Sequence, residues 1–310
     1  MKIYKPKFWR NNFNIISILL IPLAFLVELI NFLKKIFVKQ KKFDIPVICI
    51  GNIYLGGTGK TPLSFEVVKI IESFKYKTAL VKKFYKKQMD EIILSEGKVD
   101  NILTDTSRVK AIKQAIDSGI QAVVLDDGFQ DHSVYKDLNI ICFNANQLIG
   151  NGRVIPAGPL RENLSNLKKS QIVVINGKKN ILFEKKINQI SKKINIYYSE
   201  YTPKNIKKFH NKNILAFAGI GNPENFFDLL KRYKLNVKKT IHFPDHHNYT
   251  KKELLKIKEI AKKNKLEIIT TEKDYCRIEN FRIKNFNKLP VKLKIKQKKE
   301  FIKNIRKHLR

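Results

Sequence analysis

Residues 51–62 read Gly51-Asn52-Ile53-Tyr54-Leu55-Gly56-Gly57-Thr58-Gly59-Lys60-Thr61-Pro62, and they follow the apolar run Ile45-Pro46-Val47-Ile48-Cys49-Ile50. This order is that of a buried strand feeding a phosphate-binding loop. Gly56, Gly57, Thr58 and Gly59 allow backbone N–H groups to converge on phosphate oxygens. Lys60 adds a positive charge, and Thr61 offers a hydroxyl to Mg2+ as a helix opens at Pro62. The pattern points to a nucleoside triphosphate. Strict spacing wants glycine at position 54, where Tyr54 stands, and the Gly56-Gly57 pair compensates within the loop.

A second group of chemically capable residues is Asp126-Asp127-Gly128-Phe129-Gln130, which ends the short apolar run at 121–125. Ligands of open α/β sheets collect outside the carboxyl ends of strands, so a carboxylate here sits where Mg2+ of a bound nucleotide is held. On an extended backbone the two aspartates point to opposite sides, and either Asp126 or Asp127 meets the metal. Residues 150–162 form a Gly/Pro-dense loop carrying Arg153 and Arg161, whose guanidinium groups suit phosphate oxygens. Further on, Asp245-His246-His247 precedes Thr250-Lys251-Lys252-Glu253, a capping box, and Thr271-Glu272-Lys273-Asp274 ends another apolar run.

These residues need a scaffold of alternating strands and helices. Helical spacing at 63–74 between the runs at 45–50 and 78–81 gives a βαβ unit. A helix over 108–118 and strands at 121–125, 138–143 and 172–175 extend the sheet, and residues up to about 208 are Lys/Asn-rich and weakly patterned. A second α/β unit opens with a strand at 213–218 and a helix capped at Asn222-Pro223, followed by a helix from Thr250 to about Lys263 and a strand at 268–271. The expected division is 1–42 as a basic-flanked N-terminal helix, 43–205 as a P-loop, mostly parallel α/β domain, and 206–310 as a smaller α/β domain facing it across a cleft.

With 310 residues and 43% apolar residues the chain can bury a substantial core. Its net charge of +35 fits an acidic partner or a lysine-rich solvated surface, and no nucleic-acid-binding module accompanies it. Cys49, Cys142 and Cys276 lie far apart, which fits a reducing compartment. Residues 15–33 are almost wholly apolar, yet Ser17, Ala24, Glu28, Asn31 and Lys35 share one helical stripe, and Lys2, Lys5, Lys7, Arg10, Lys34, Lys39, Lys41 and Lys42 flank the segment. That composition predicts a helix lying in an anionic membrane surface from the cytoplasmic side, rather than a span or a signal peptide.

The motifs of residues 56–62 and 126–130, Gly150-Asn151-Gly152-Arg153 with 156–162, Phe217-Ala218-Gly219-Ile220-Gly221-Asn222-Pro223-Glu224, and the runs 243–250 and 271–274 together resemble the tetraacyldisaccharide 4'-kinase family. The resemblance implies a lipid kinase that transfers the ATP γ-phosphoryl group to the 4'-hydroxyl of a tetraacylated disaccharide 1-phosphate at the cytoplasmic face of the inner membrane, making lipid IVA. It also implies ATP and Mg2+ as cofactors, a membrane-docking N-terminal helix and no nucleic-acid partner. The family's general base falls on Asp90, within Met89-Asp90-Glu91-Ile92, with His246 as its partner. Lys60 and Arg161 join them as catalytic residues, and Thr61, Asp126 and Asp127 are the metal candidates. The preceding family motif reads Lys82-Lys83-Phe84-Tyr85 here, and His132 stands one place later than the family's histidine and receives no role. A P-loop ATPase switch or partitioning module is the alternative; a guanine-specific switch is disfavoured because Asn176-Gly177-Lys178-Lys179 does not supply Asn-Lys-x-Asp.

Overall fold

The structure, a computed structural model, describes residues 6–11, 13–85, 92, 95 and 97–309. Asp90 lies outside the described residues. The chain divides into two compact units. One takes in residues up to Tyr85, Lys98–Glu200 and the chain from Leu293 onward, and the other is built mainly on Tyr201–Lys292. The expected boundary near 205 is thus close, but the C-terminal residues return to the first unit.

In the first unit the described strands are β1 (Val47–Gly51), β2 (Thr78–Lys83), β3 (Ile102–Asp105), β4 (Ala122–Asp126), β5 (Leu138–Asn144), β6 (Ile172–Asn176), β7 (Asn195–Pro203) and β12 (Val291–Ile295). They form one sheet in the order β12-β7-β6-β5-β1-β4-β2-β3, and the pairs from β7 to β3 are parallel. Buried on both faces, β1, β4 and β5 are near-continuous apolar runs rather than alternating ones. Among the described residues, helices α3 (Lys60–Glu72), α4 (Arg108–Asp117), α5 (Ile181–Ile190) and α9 (Lys298–Arg306) belong to this unit. Strand order reverses around β1, where open sheets gather ligands at their carboxyl edge. The register sets Ile50 of β1 and Lys82 of β2 on either side of Asp126.

The N-terminal apolar segment forms α1 (Ile15–Leu19) and α2 (Ile21–Phe37), separated at Leu20 just before Pro22. Its polar stripe faces the protein: Ser17 and Ala24 are buried, Ser17 donates to the Ala157 carbonyl at 2.6 Å, and Asn31 Nδ2 donates to the Arg161 carbonyl at 3.3 Å. Its large apolar side chains point outward, with Ile15 and Leu19 more than 70% exposed and Phe25 68%. No helix among the described residues is long and apolar enough to cross a membrane.

The second unit carries β8 (Asn213–Ala218), α6 (Pro223–Arg232), β9 (Asn236–His242), α7 (Lys251–Lys263), β10 (Glu267–Thr271), α8 (Glu272–Ile278) and β11 (Phe286–Leu289). Its parallel sheet has the order β11-β10-β8-β9. Alternation along β8 builds a core on each face, Ile214 and Ala216 with Phe226 and Leu230 on one side, Leu215 and Phe217 with Leu254 and Ile257 on the other. Both bonds of the capping box at Thr250 and Glu253 are present at the start of α7.

Candidate active site

The strand-to-helix turn after β1 has the shape its glycines predict. Gly56, Gly57 and Gly59 adopt left-handed φ values of 74°, 57° and 92°, a region that favours residues without a Cβ. Tyr54, standing where a glycine was wanted, is 4% exposed and bridges Leu160, while the Leu55 N–H donates to the Pro159 carbonyl at 2.9 Å. The first half of the loop is therefore extended and pinned to the 150–162 loop, so it needs no glycine. Across the base, the buried Asn52 amide donates to Thr58 Oγ1 at 3.1 Å and to the Tyr54 carbonyl.

Asp126 closes β4 and is 4% exposed. Its carboxylate accepts from the Thr61 hydroxyl at 2.9 Å and the Ser64 hydroxyl at 3.3 Å, and it pairs with Lys82 Nζ at 3.0 Å. Asp127 leaves the strand with φ of 57° and turns its carboxylate to Lys60 Nζ at 3.4 Å and Arg161 Nη1 at 2.7 Å. Burial raises the Asp127 carboxyl, but Lys60, Arg161 and Arg108 outweigh it and hold the group at about 2. The two aspartates thus take different partners, Asp126 at the strand end and Asp127 at the left-handed turn beyond it, and the adjacent residues Lys60 and Thr61 are divided between them.

The turn is tightly enclosed. A Cβ at Gly51 would lie 2.4 Å from Cβ of Phe129, and one at Gly128 would lie 2.9 Å from Cβ of Leu125. Arg108 Nη2 donates to the carbonyls of Asp126 and Asp127 at 3.2 and 2.8 Å, and its Nη1 to Asp131 at 3.0 Å. Gln130 Nε2 donates to the Asn52 carbonyl at 2.9 Å and to Glu162 at 2.6 Å, while its Oε1 accepts from Arg161 at 3.3 Å. Burial raises the Glu162 carboxyl against the pull of Gln130 and nearby lysines.

Lys60, Thr61, Asp126, Asp127 and Arg161 therefore converge, together with Gly56 to Pro62. Arg153 does not join them: its Nη1 donates to the Ser17 hydroxyl at 2.7 Å, so it docks α1 instead of facing phosphate. His246, in the second unit, has a left-handed φ of 55°; Lys273 Nζ stands 3.2 Å from its Nε2 and Arg277 Nη2 3.4 Å from its Nδ1. A neutral imidazole has one acceptor nitrogen, so one cation at a time can donate to it. Beneath this loop Asp274 is fully buried and accepts from the Gly219 N–H, Tyr249, Thr271 and Arg277 at 3.0, 3.0, 2.7 and 2.9 Å.

Lys82, Ser64 and Arg108 join the site without having been assigned to it from the sequence, and Gln130, quoted there only as part of its motif, joins with them. Lys82 had a signal: a lysine continuing the buried run 78–81 requires a carboxylate across the sheet. Arg108 had none, since it acts through the carbonyls of Asp126 and Asp127 and the carboxylate of Asp131, all far away in sequence, whereas Gln130 was marked by its place in the motif 126–130.

The Thr61 hydroxyl beside carboxylates is a hard-oxygen donor set of the kind Mg2+ takes, one or two carboxylates with the remaining positions left to phosphates and water. Among the described residues no group of three or more His, Cys, Asp or Glu could hold a metal ion.

The chain is similar to several known proteins. A family model described as Tetraacyldisaccharide-1-P 4'-kinase matches residues 16–101 and 90–310. The tetraacyldisaccharide 4'-kinase of Pelagibacter ubique (strain HTCC1062) is 41% identical over 288 residues, covering 90% of both chains, and that of Rickettsia bellii (strain OSU 85-389) is 34% identical over 294 residues, again with 90% of each. The crystal structure of LpxK from Aquifex aeolicus, determined in complex with ATP, shares the fold at a TM-score of 0.70 and 22% identity, covering 96% of this chain and all of that one. With its phosphate loop, paired aspartates and two-unit α/β fold, the chain belongs to the tetraacyldisaccharide-1-P 4'-kinase family.

Proposed function

We propose that this protein transfers the γ-phosphoryl group of ATP to the 4'-hydroxyl of a tetraacylated disaccharide 1-phosphate, yielding lipid IVA in lipid A biosynthesis. The observation that carries the reading is the double clamp at the strand ends, Thr61 on Asp126 and Lys60 with Arg161 on Asp127. Phosphoryl transfer asks a protein mainly for positioning and for positive charge near the equatorial oxygens. The loop N–H groups would hold the nucleotide phosphates, Lys60 and Arg161 would face the transferring group, and Arg108 keeps the aspartate turn rigid. Mg2+, when bound through Thr61 and one of the two aspartates, would neutralise charge on the β- and γ-phosphates. Asp90 is the proposed base for the acceptor hydroxyl, with His246 as its partner.

The outward apolar face of α1 and α2, bordered by Lys34, Lys35, Lys39, Lys41 and Lys42, supports interfacial docking at the cytoplasmic face of the inner membrane, where an acylated acceptor resides. The reaction itself tests the proposal: protein, Mg2+, labelled ATP and tetraacyl disaccharide 1-phosphate in detergent should give a bisphosphorylated lipid. Folded protein that yields none sinks the assignment. Asp90→Asn should lower kcat and leave ATP affinity nearly intact, and a fully active variant would move the base elsewhere.

A further inference from the structure

A lysine continues the buried run of β2. Leu80 stands in register with Val124 of β4, and Lys82, two residues on and therefore on the same face of the sheet, stands in register with Asp126. Both charged side chains are buried, and burial on this scale requires a partner of opposite sign. The Lys82 ammonium meets Asp126 Oδ2 at 3.0 Å. That same oxygen accepts from the Thr61 hydroxyl at 2.9 Å, while Oδ1 accepts from Ser64 at 3.3 Å. Thr61 and Asp126 are groups of this chain that fit Mg2+, so a cation fixed to the backbone already lies against a carboxylate suited to the metal.

The neighbouring carboxylate is held in the same way. Asp127 pairs with Lys60 at 3.4 Å and Arg161 at 2.7 Å, so that Lys60, Lys82 and Arg161 serve the two aspartates together. The third acidic group of the turn, Asp131, pairs with Arg108 at 3.0 Å. An ammonium cannot bridge phosphate oxygens as a divalent ion does, but it cancels the charge of the carboxylate it touches. A metal-free triphosphate is a polyanion. An uncompensated carboxylate buried beside the phosphate loop would repel it, and low local polarity would strengthen the repulsion.

We infer that Lys82 is the built-in cation that lets the phosphate loop bind ATP without its metal: by neutralising Asp126 beside the loop, it makes nucleotide binding independent of Mg2+. Lys82 is a positioning residue, since it acts on the nucleotide through Asp126. The hydroxyls of Thr61 and Ser64 orient that carboxylate, and Arg108 Nη2 holds the Asp126 carbonyl, but none of the three supplies a charge to the carboxylate itself. The inference rests on the ATP-binding part of the function proposed above, and its test needs no acceptor lipid.

Calorimetric titration of the full chain with ATP, once in EDTA and once in excess Mg2+, reads the two affinities. In the wild type they should agree within about tenfold. Lys82→Gln keeps a hydrogen-bond donor near Asp126 and drops the charge. Its metal-free affinity should fall about tenfold or more below wild type, while its affinity in Mg2+ should change by less than about threefold. Adding Asp126→Asn removes the repelling carboxylate and should bring the metal-free affinity back to within about threefold of wild type. Asp126→Asn alone, with Lys82 uncompensated, should bind metal-free ATP about tenfold more tightly than the double variant, which reads the lysine's charge even where Lys82→Gln does not fold by itself. A lysine with a merely structural role would weaken both titrations of Lys82→Gln alike, and that result overturns the inference. So does an unchanged metal-free affinity in Lys82→Gln, or a wild type that binds ATP only with Mg2+. Wild-type protein that binds ATP in neither titration sinks the ATP reading together with this inference. The expected affinities in a protein that phosphorylates no lipid would uphold the inference and sink the lipid-kinase proposal alone.

Discussion

The Lys82 ammonium lies 3.0 Å from the Asp126 carboxylate across adjacent parallel strands, with the two side chains 7% and 3% exposed. A buried charge is tolerated only when it is paired, and removing one member strands the other. Lys82→Met should therefore destabilise the protein by about 3 kcal/mol in urea unfolding. Adding Asp126→Asn should cost less than the sum of the single changes, because the stranded charge is gone. Additive losses would show that the pair is not coupled.

Lys60 and Arg161 share the Asp127 carboxylate and face the same space. Under the proposed function, removing either would leave less positive charge where the phosphoryl group would move. Steady-state kinetics should show kcat falling by about 100-fold or more for Lys60→Ala. Arg161→Lys should retain more activity than Arg161→Ala but less than wild type, because an ammonium keeps the charge but not the planar guanidinium whose Nη1 reaches both Asp127 and Gln130.

Gly51 cannot carry a side chain without moving the aspartate turn. The added Cβ of Gly51→Ala would meet Cβ and backbone atoms of Phe129, none of which can rotate away. A loss of about 3 kcal/mol in stability is expected, with nucleotide affinity weakened in parallel.

His132 gives the stability a signed pH dependence. Its folded value is lowered to about 4 from 6.5, chiefly by burial and then by Lys136, Lys169 and Lys35, so below the unfolded value the unfolded chain binds the extra proton. Its contribution is complete above about pH 6.5 and is lost as pH falls towards 4. His132→Gln should flatten that part of the stability profile, measured by urea unfolding across the window. An unchanged slope would place the acid sensitivity elsewhere. Asp127 acts further down, its stabilisation being lost as pH falls from near 4 through about 2.

The outward face of α1 and α2 should govern membrane attachment. Leu19→Asp/Phe25→Asp changes exposed positions that are not part of the buried stripe, so folding should survive while co-sedimentation with anionic vesicles drops. Ser17→Ala should instead loosen the helix from the protein, since Ser17 accepts from Arg153 and Asn151 and donates to Ala157.

Local chemistry wrote much of this molecule into its sequence. The glycine pattern of 56–62, the apolar runs of β1, β4, β5, β6 and β8, and the capping box at Thr250 each depend on neighbours a few residues apart, and their positions were legible within one or two residues. The polar stripe of the N-terminal helix was legible too, because helical spacing follows from residue order. The structure assigned that stripe to the protein side. The less apolar strands were not legible: β7, with exposed and half-buried positions, and β9, largely exposed, gain their strand character from the partners they pair with.

Tertiary structure alone decided how the candidate site is wired. The sequence placed Asp126 and Asp127 at a strand end, and the parallel register of β1, β4 and β2 gave one of them to Thr61 and Lys82 and the other to Lys60 and Arg161. It also sent Arg153 to Ser17 rather than to phosphate. Spacing along a chain fixes which side chains share a helix face or a turn. Which charges meet across strands and loops is fixed only when the sheet closes its order and burial forces each charge to find a partner.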